Sequence, residues 1–321
     1  MRAQDTKLQP IGLIGLGLMG RGIATCLLSR GLRVIAFDRD ARCGRASLAH
    51  LERSLDELAR RKMVPRAQMR DWRRKFRVVN SISALCDCPF VIETVTEDLD
   101  VKRRLYDELE SVVAADAVIA SNTSSLPISL LQGGSKVPAR FIGMHWGEPA
   151  QIMRYLEVTP GQHTSERTIE LTLELGEHCG KEPAVLRRDI QGFISNRMMY
   201  AMIREACHLV ESGIADVDTI DRSFRNDIGY WATLAGPFRW MDLTGIPAYA
   251  AVMEGLLPKL SNSSEVPAMM KDMVASGAEG VGNAKGFYPY TKASAKRWEK
   301  AWVDFTYEIR RLADKFDGRE I

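Results

Sequence analysis

The sequence predicts an α/β protein: a Rossmann-like, doubly wound, mostly parallel sheet followed by an all-helical C-terminal domain. Three observations carry this expectation. Residues 11–38, IGLIGLGLMGRGIATCLLSRGLRVIAFD, run as an apolar stretch, a glycine-rich turn, an amphipathic stretch and a second apolar stretch ending in Asp38. Between residues 76 and 187 short apolar runs alternate with helical periodicity, the pattern of repeated βα units. From about residue 189 helical signals continue and strand signals stop. At 321 residues the chain is long enough for two domains. The expected ranges are 1–188 for a nucleotide-binding domain, with a helical hairpin inserted at about 41–75, and 189–321 for a helical domain.

Gly15, Gly17 and Gly20 have the G-x-G-x-x-G spacing, with Leu16, Leu18 and Met19 between them. In a βαβ unit the first glycine permits the tight turn, the second lets a pyrophosphate approach the backbone, and the third lets helix and strand pack closely. The helix that opens there presents unpaired N–H groups to phosphates. Asp38 lies 23 positions after Gly15, near the spacing of about 20 at which a carboxylate accepts hydrogen bonds from an adenosine ribose. A 2′-phosphate is repelled there, so NAD is the expected cofactor. Arg39 is the one contrary sign.

The hairpin segment carries Leu48, Leu51, Leu55 and Leu58 at three- and four-residue steps, an apolar face that packs, and breaks at Pro65. Arg53, Arg60, Arg61 and Lys62 lie on its other face, with Arg66 just beyond the break; a solvated surface and a phosphate clamp both account for them. Strands are then expected at FRVVN, PFVIET, AVIAS, RFIGMHW, MRYLEV and PAVLR, with helices over DLDVKRRLYDELESVVA and SERTIELTLELGEHCG. Ligands of such sheets sit beyond the carboxyl ends of the strands, which singles out Glu93, Glu97, Ser121 to Ser125 and His145. The stretch GFISNRMMYAMIREACHLVESG reads as a long helix ending at Gly213, with Asp216 or Asp218 capping the next. Met198, Met199, Met202, Tyr230, Trp231 and Trp240 read as core or subunit interface.

A net charge of +3 with no dominant basic run argues against nucleic acid or a membrane surface as a partner. The polar opening MRAQDTKLQP, and an apolar stretch interrupted by glycines and Arg21, argue against a signal peptide or membrane span. Six scattered cysteines fit reduced thiols in the cytoplasm, and the C-x-C pair Cys86 and Cys88 lacks the neighbouring ligands a metal site needs. A nicotinamide oxidising an alcohol needs a base for the hydroxyl proton, and histidine is the usual choice. Of the five histidines, His145 alone ends a strand of the nucleotide-binding domain; Glu157, twelve residues on, ends the neighbouring strand pattern and can fix the imidazole tautomer.

GLGLMGRGIA, Glu93 and Glu97 in ETVTE, SNTSSL, GMHWGEP followed by YLEV, GFISNR, AGPFRWMD and KGFYPY occur in an order that resembles the 3-hydroxyacyl-CoA dehydrogenase family, from about residue 11 to 290. The resemblance implies NAD as cofactor and interconversion of a 3-hydroxyacyl-CoA and its 3-keto form, a reaction of fatty acid metabolism. It implies His145 as general base and acid, oriented by Glu157. Asn196 would hydrogen-bond the substrate, and Ser124 would contact both substrate and nicotinamide. Glu97 and Lys102 would hold the nicotinamide ribose, Asp38 the adenosine ribose, and Ser54 and Arg61 coenzyme A. The helical domain would form a homodimer.

The chain departs from this pattern where the family usually reads H-F-F-N-P and this sequence reads His145, Trp146, Gly147, Glu148 and Pro149. Glu148 places a carboxylate near the nicotinamide where an amide is usual, and a carboxylate cannot donate when ionised. Trp146 follows the histidine as in relatives acting on a pyridine carboxylate aldehyde of vitamin B6 breakdown, so Trp146 becomes a candidate substrate contact. Other relatives without coenzyme A act on sugar acids or carnitine. The β-hydroxyacid dehydrogenases share the GLGLMG opening but need a lysine four residues before the asparagine, where this chain has Gly192. A non-catalytic NAD-binding protein of the crystallin type is the alternative outside enzymes.

Overall fold

A computed structural model of the chain describes residues 8–316; residues 1–7 and 317–321, which the expected domain ranges include, lie outside the described residues. The chain divides into two compact units between Asn196 and Arg197. The first holds β1 (Ile11–Ile14), β2 (Val34–Phe37), β3 (Phe76–Val79), β4 (Phe90–Glu93), β5 (Val118–Ser121), β6 (Phe141–Trp146), β7 (Tyr155–Pro160) and β8 (Glu182–Val185) in one sheet of order β3-β2-β1-β4-β5-β6-β7-β8. All pairings are parallel except β6 with β7. The first six strands have the 3-2-1-4-5-6 order of doubly wound dinucleotide-binding sheets, whose switch point lies between β1 and β4. Every residue of β1, β4 and β5 is buried, as expected of central strands covered on both faces.

Helices α1 (Leu18–Ser29), α2 (Ala41–Arg60), α3 (Trp72–Lys75), α4 (Leu99–Glu110), α5 (Ile128–Leu131) and α6 (Glu166–His178) accompany the sheet. One cluster under it joins Ile14, Val91, Leu105, Tyr106, Leu109, Ile119 and Phe141 with Phe193, so the segment leading out of the sheet is rooted in the core of the first unit.

The expected hairpin is replaced by one long helix. α2 is capped by Asp40, whose side chain accepts from Arg42 N–H, and stops where Lys62 takes a left-handed φ of 58° ahead of Pro65. Beyond the break come only a 3₁₀ turn, Arg66–Met69, and the four-residue α3, because Met69 is the one residue of those two elements that is buried. The packed face also differs from expectation. Leu48 is exposed, and Gly44, Ser47, Leu51, Leu55 and Leu58 face inward. A Cβ on Gly44 would meet Val78 at 2.8 Å, so glycine sets how closely α2 approaches β3.

The second unit is helical: α7 (Ser195–Glu211), α8 (Val217–Asn226), α9 (Ile228–Ala232), α10 (Pro237–Thr244), α11 (Ile246–Leu256), α12 (Ala268–Ala275) and α13 (Lys292–Lys315). α7 begins three residues later than the helix expected from Gly192, since Gly192 and Phe193 both have positive φ. Asp216 caps α8 by accepting from Thr219 N–H. Trp231 and Trp240 stack with centroids 5.3 Å apart, while Met198, Met199, Met202 and Tyr230 are exposed.

The interior of the first unit holds a fully buried ion pair at the end of β4. Glu93, at the end of β4, accepts from Lys102 Nζ at 2.6 Å, Tyr106 at 2.6 Å, Ser121 at 2.8 Å and Val95 N–H at 2.6 Å. Both charged side chains are at most 1% exposed. Burial of such a charge is tolerable only with partners of this number and quality. Lys102→Met leaves the carboxylate without its counter-ion and should lower unfolding free energy by about 3–5 kcal/mol in urea titrations. A loss below about 1 kcal/mol would show that the hydrogen bonds alone support the carboxylate.

Candidate active site

Strand β1 delivers the chain into the glycine turn, and α1 opens on Gly17 with no side-chain cap. Gly15 has φ +93°, and a Cβ on Gly20 would lie 2.0 Å from the carbonyl oxygen of Gly15, so both glycines are required by the turn itself. Gly17 differs: a Cβ there meets nothing within 4 Å, and the backbone faces open space in which a pyrophosphate fits. Asp38 accepts from Leu16 N–H at 2.7 Å and from Asp40 N–H at 2.8 Å, which ties the end of β2 to the turn. Gly15, Gly17, Asp38, Thr94, Val101 and Leu105 are among the residues lining a pocket of about 350 Å³. Arg39 also lines it but leans toward Glu108, 3.8 Å away. These residues suit NAD: the turn for its diphosphate and Asp38 for its adenosine ribose.

Across the switch point Glu97 organises the loop after β5. One of its oxygens accepts from Thr123 Oγ1 at 2.6 Å and from the N–H groups of Ser124 and Ser125 at 2.9 and 3.0 Å. Burial opposes the charge, but these bonds and nearby Lys102 hold the carboxyl below its usual range. Ser124 is in turn tied to Asn196, whose Nδ2 donates to the Ser124 carbonyl at 2.9 Å. Asn122 reaches the other way and accepts from Trp146 N–H at 2.9 Å.

The antiparallel register of β6 and β7 pairs His145 directly with Glu157. His145 Nδ1 is 2.9 Å from Glu157 Oε2 and 3.0 Å from the Tyr155 hydroxyl, which itself donates to Glu157 Oε2. Glu157 Oε1 accepts from Ile194 and Ser195 N–H at 3.0 and 2.9 Å, where α7 begins. Glu157 is 1% exposed; burial alone would raise its pKa, yet the bonds from His145, Tyr155, Ser195 and Ile194 keep it below the usual carboxylate range. An ionised acceptor at Nδ1 places the ring proton there and leaves Nε2 as the basic nitrogen.

Not every expected residue reaches this place. Lys102 is directed inward to Glu93, with Glu97 3.6 Å away, so it supports a loop carboxylate and does not offer its ammonium to a ribose. Trp146 follows His145 on a strand and so points to the opposite face of the sheet, where it is 2% exposed with Lys181 Nζ 4.9 Å above its ring. Burial there replaces the substrate contact expected of it. Ser54 faces His50 at 3.2 Å, and Arg61 is paired with Glu57, as is Arg60. Glu148 lies just beyond β6, and burial pushes its carboxyl above the usual range. Tyr155 went unnoticed in the sequence; its position two residues before Glu157 on a strand is the signal that places both on one face. Among the described residues no group of three His, Cys, Asp or Glu side chains could hold a metal ion.

A doubly wound sheet with a glycine turn, a ribose-side aspartate and a buried His–Glu pair defines a dinucleotide-dependent oxidoreductase. Residues 10–190 match the model of the 3-hydroxyacyl-CoA dehydrogenase NAD binding domain, and residues 192–290 match the C-terminal domain of the same enzymes. The chain belongs to the 3-hydroxyacyl-CoA dehydrogenase family and is an NAD-dependent oxidoreductase. It is 32% identical over 313 residues to 5-formyl-3-hydroxy-2-methylpyridine 4-carboxylate 5-dehydrogenase of Mesorhizobium japonicum, covering 97% of this chain and 99% of that one. A crystal structure of a dehydrogenase of that name, described as an NAD+ dependent dismutase, superposes with a TM-score of 0.87 at 30% identity over 97% of this chain and 99% of that one. The structure of (S)-3-hydroxybutyryl-CoA dehydrogenase from Ralstonia eutropha gives 0.73 at 31% identity, over 88% and 98%.

Because the space at Gly17 is open, Gly17→Val should leave the melting temperature unchanged and weaken NADH binding at least about tenfold, an energy of roughly 1.4 kcal/mol or more. Gly20→Ala should instead lower the melting temperature. Fluorescence titration of NADH and thermal unfolding check both; undiminished binding by Gly17→Val would move the diphosphate elsewhere.

Proposed function

We propose that this protein is an NAD-dependent dehydrogenase of a small carboxylated alcohol or aldehyde that carries no coenzyme A. The observation that carries this reading is the stronger structural likeness to the pyridine carboxylate dehydrogenase, with a TM-score of 0.87 against 0.73 for the hydroxybutyryl-CoA enzyme. A second observation supports it. Four arginines of the α2 segment, which would clamp coenzyme A phosphates, are met by acids of their own segment: Arg60 and Arg61 by Glu57, Arg66 by Asp56, and Arg73 by Glu52. A phosphate would have to displace those partners.

In this reading His145 Nε2 takes the proton of the substrate hydroxyl, that of an alcohol or of the hydrate an aldehyde forms with water, as the carbon becomes a ketone or a carboxyl, and returns it in the reverse direction. NAD, when bound, accepts the hydride. Glu157 offsets the charge that His145 gains, at low solvent exposure where such an interaction is strong. Asn196, oriented by its bond to Ser124, holds the substrate oxygen, and Ser124 lies between substrate and nicotinamide. Glu97 holds the Ser124 loop in shape and faces the nicotinamide ribose. Glu148 lies near the nicotinamide in this reading, and desolvation raises its carboxyl above the usual range.

A fatty-acid role with 3-hydroxyacyl-CoA as substrate is the second reading, favoured by the likeness to the hydroxybutyryl-CoA enzyme. The exposed Met198, Met199, Met202 and Tyr230 support a homodimer through the helical unit. Six free cysteines support a reducing compartment, read as the cytoplasm, and no helix among the described residues is long and apolar enough to cross a membrane.

Purified protein should convert 5-formyl-3-hydroxy-2-methylpyridine 4-carboxylate with NAD and leave acetoacetyl-CoA with NADH unchanged. Turnover confined to the thioester overturns the first reading in favour of the second. With the accepted substrate, His145→Gln should lower kcat by about 10²–10⁴-fold while NADH still binds. Near-normal turnover by that variant would remove His145 from the chemistry.

A further inference from the structure

His145 and Glu157 make a pair, but the geometry around them has three members. Tyr155 and Glu157 alternate on β7 and project from one face, toward the His145 with which Glu157 is in register. The Tyr155 hydroxyl is 3.0 Å from His145 Nδ1 and donates to Glu157 Oε2, the same oxygen that lies 2.9 Å from His145 Nδ1. A phenol has one proton to donate and a lone pair left to accept. With its O–H committed to the carboxylate, it can only accept from Nδ1–H, so the imidazole proton is shared between a carboxylate and a phenol oxygen. The hydroxyl cannot be replaced here as an acceptor by Phe193, the other ring beside His145 at 5.8 Å between centroids, which carries no polar atom. The Tyr155 and His145 rings meet edge to face, 5.5 Å apart at 90°, so packing fixes the phenol as well as its bonds.

We propose that Tyr155 is a positioning residue for the reaction described above, holding the plane and the Nδ1 proton of His145 by closing a His145–Glu157–Tyr155 triangle. The inference rests on His145 as the base; the triangle itself is a feature of the free protein. It gives the imidazole two acceptors on one side, so a rotation of the ring that brings Nε2 to the carboxylate loses two contacts where a simple pair would lose one. Burial and the neighbouring Glu157 push the Tyr155 phenol well above its usual pKa, which keeps it protonated as this arrangement requires.

The test is Tyr155→Phe, which keeps the ring and removes one oxygen. In protein labelled with 15N-histidine, His145 is assigned by its loss in His145→Gln, and the exchange of its Nδ1 proton with water is measured in the free protein. Exchange should become about tenfold faster in Tyr155→Phe, the ratio that one hydrogen bond of ordinary net strength represents. The kcat of the accepted substrate should fall with NADH affinity unchanged. Equal exchange rates in wild type and variant overturn the role of Tyr155, as does an unchanged kcat. If wild-type protein turns over none of the offered substrates, the proposed function fails while the exchange measurement still decides on Tyr155.

Discussion

The structure around the reaction centre depends on the two oxygens of one buried carboxylate. Glu157 directs Oε2 to His145 and Tyr155 and Oε1 to the N–H groups of Ile194 and Ser195. A single side chain therefore ties β6, its own strand β7, and the start of α7. An ionised carboxylate in so little water would be unfavourable alone, and each of these donors reduces that penalty. The consequence runs in both directions. The donors keep Glu157 charged, and the charged group holds His145, the Tyr155 phenol and the backbone ahead of Asn196 in one arrangement. Asn196 then reaches back to Ser124, whose loop is shaped by Glu97.

Three glutamates of the first unit thus do different work because their surroundings differ. Glu93 is enclosed with Lys102, Tyr106 and Ser121, and stabilises the crossing from β4 to α4. Glu97, half-open to solvent, gathers donors of the loop after β5. Glu157 meets a titratable partner and so is the one that bears on proton transfer. Lys102 links the first two, at 2.6 Å from Glu93 and 3.6 Å from Glu97, which makes it a brace behind the ribose side of the site.

The fold was legible because its signals are local. Gly15, Gly17, Gly20 and Asp38 lie within one βαβ unit, and each apolar run between residues 76 and 187 became a strand at or near its expected place. What stayed hidden depends on partners distant in sequence. The facing of His145 and Glu157 required knowing that β6 and β7 are adjacent and antiparallel, which spacing suggests and only the register of the sheet supplies. Lys102 was expected at the nicotinamide ribose, and its partner Glu93, a strand residue nine positions earlier, is seen only in the structure. Trp146 was expected at the substrate from the resemblance to relatives with tryptophan after the histidine, and alternation along β6 sends it to the other face. The second arm of the hairpin failed because 66–75 offers Met69 and little else to bury.

Substrate choice follows from a division within this design. Hydride transfer engages only the reacting carbon, its oxygen and its hydrogen, so the roles proposed for His145, Glu157, Asn196 and Ser124 do not depend on what the carbon bears beyond them. Selectivity then falls to groups that meet the remainder of the substrate. On α2, Glu57 occupies both Arg60 and Arg61, and Asp56 and Glu52 attend Arg66 and Arg73. A small acid has no coenzyme A tail to place, and the side chains proposed for the reaction would serve it without drawing on that segment.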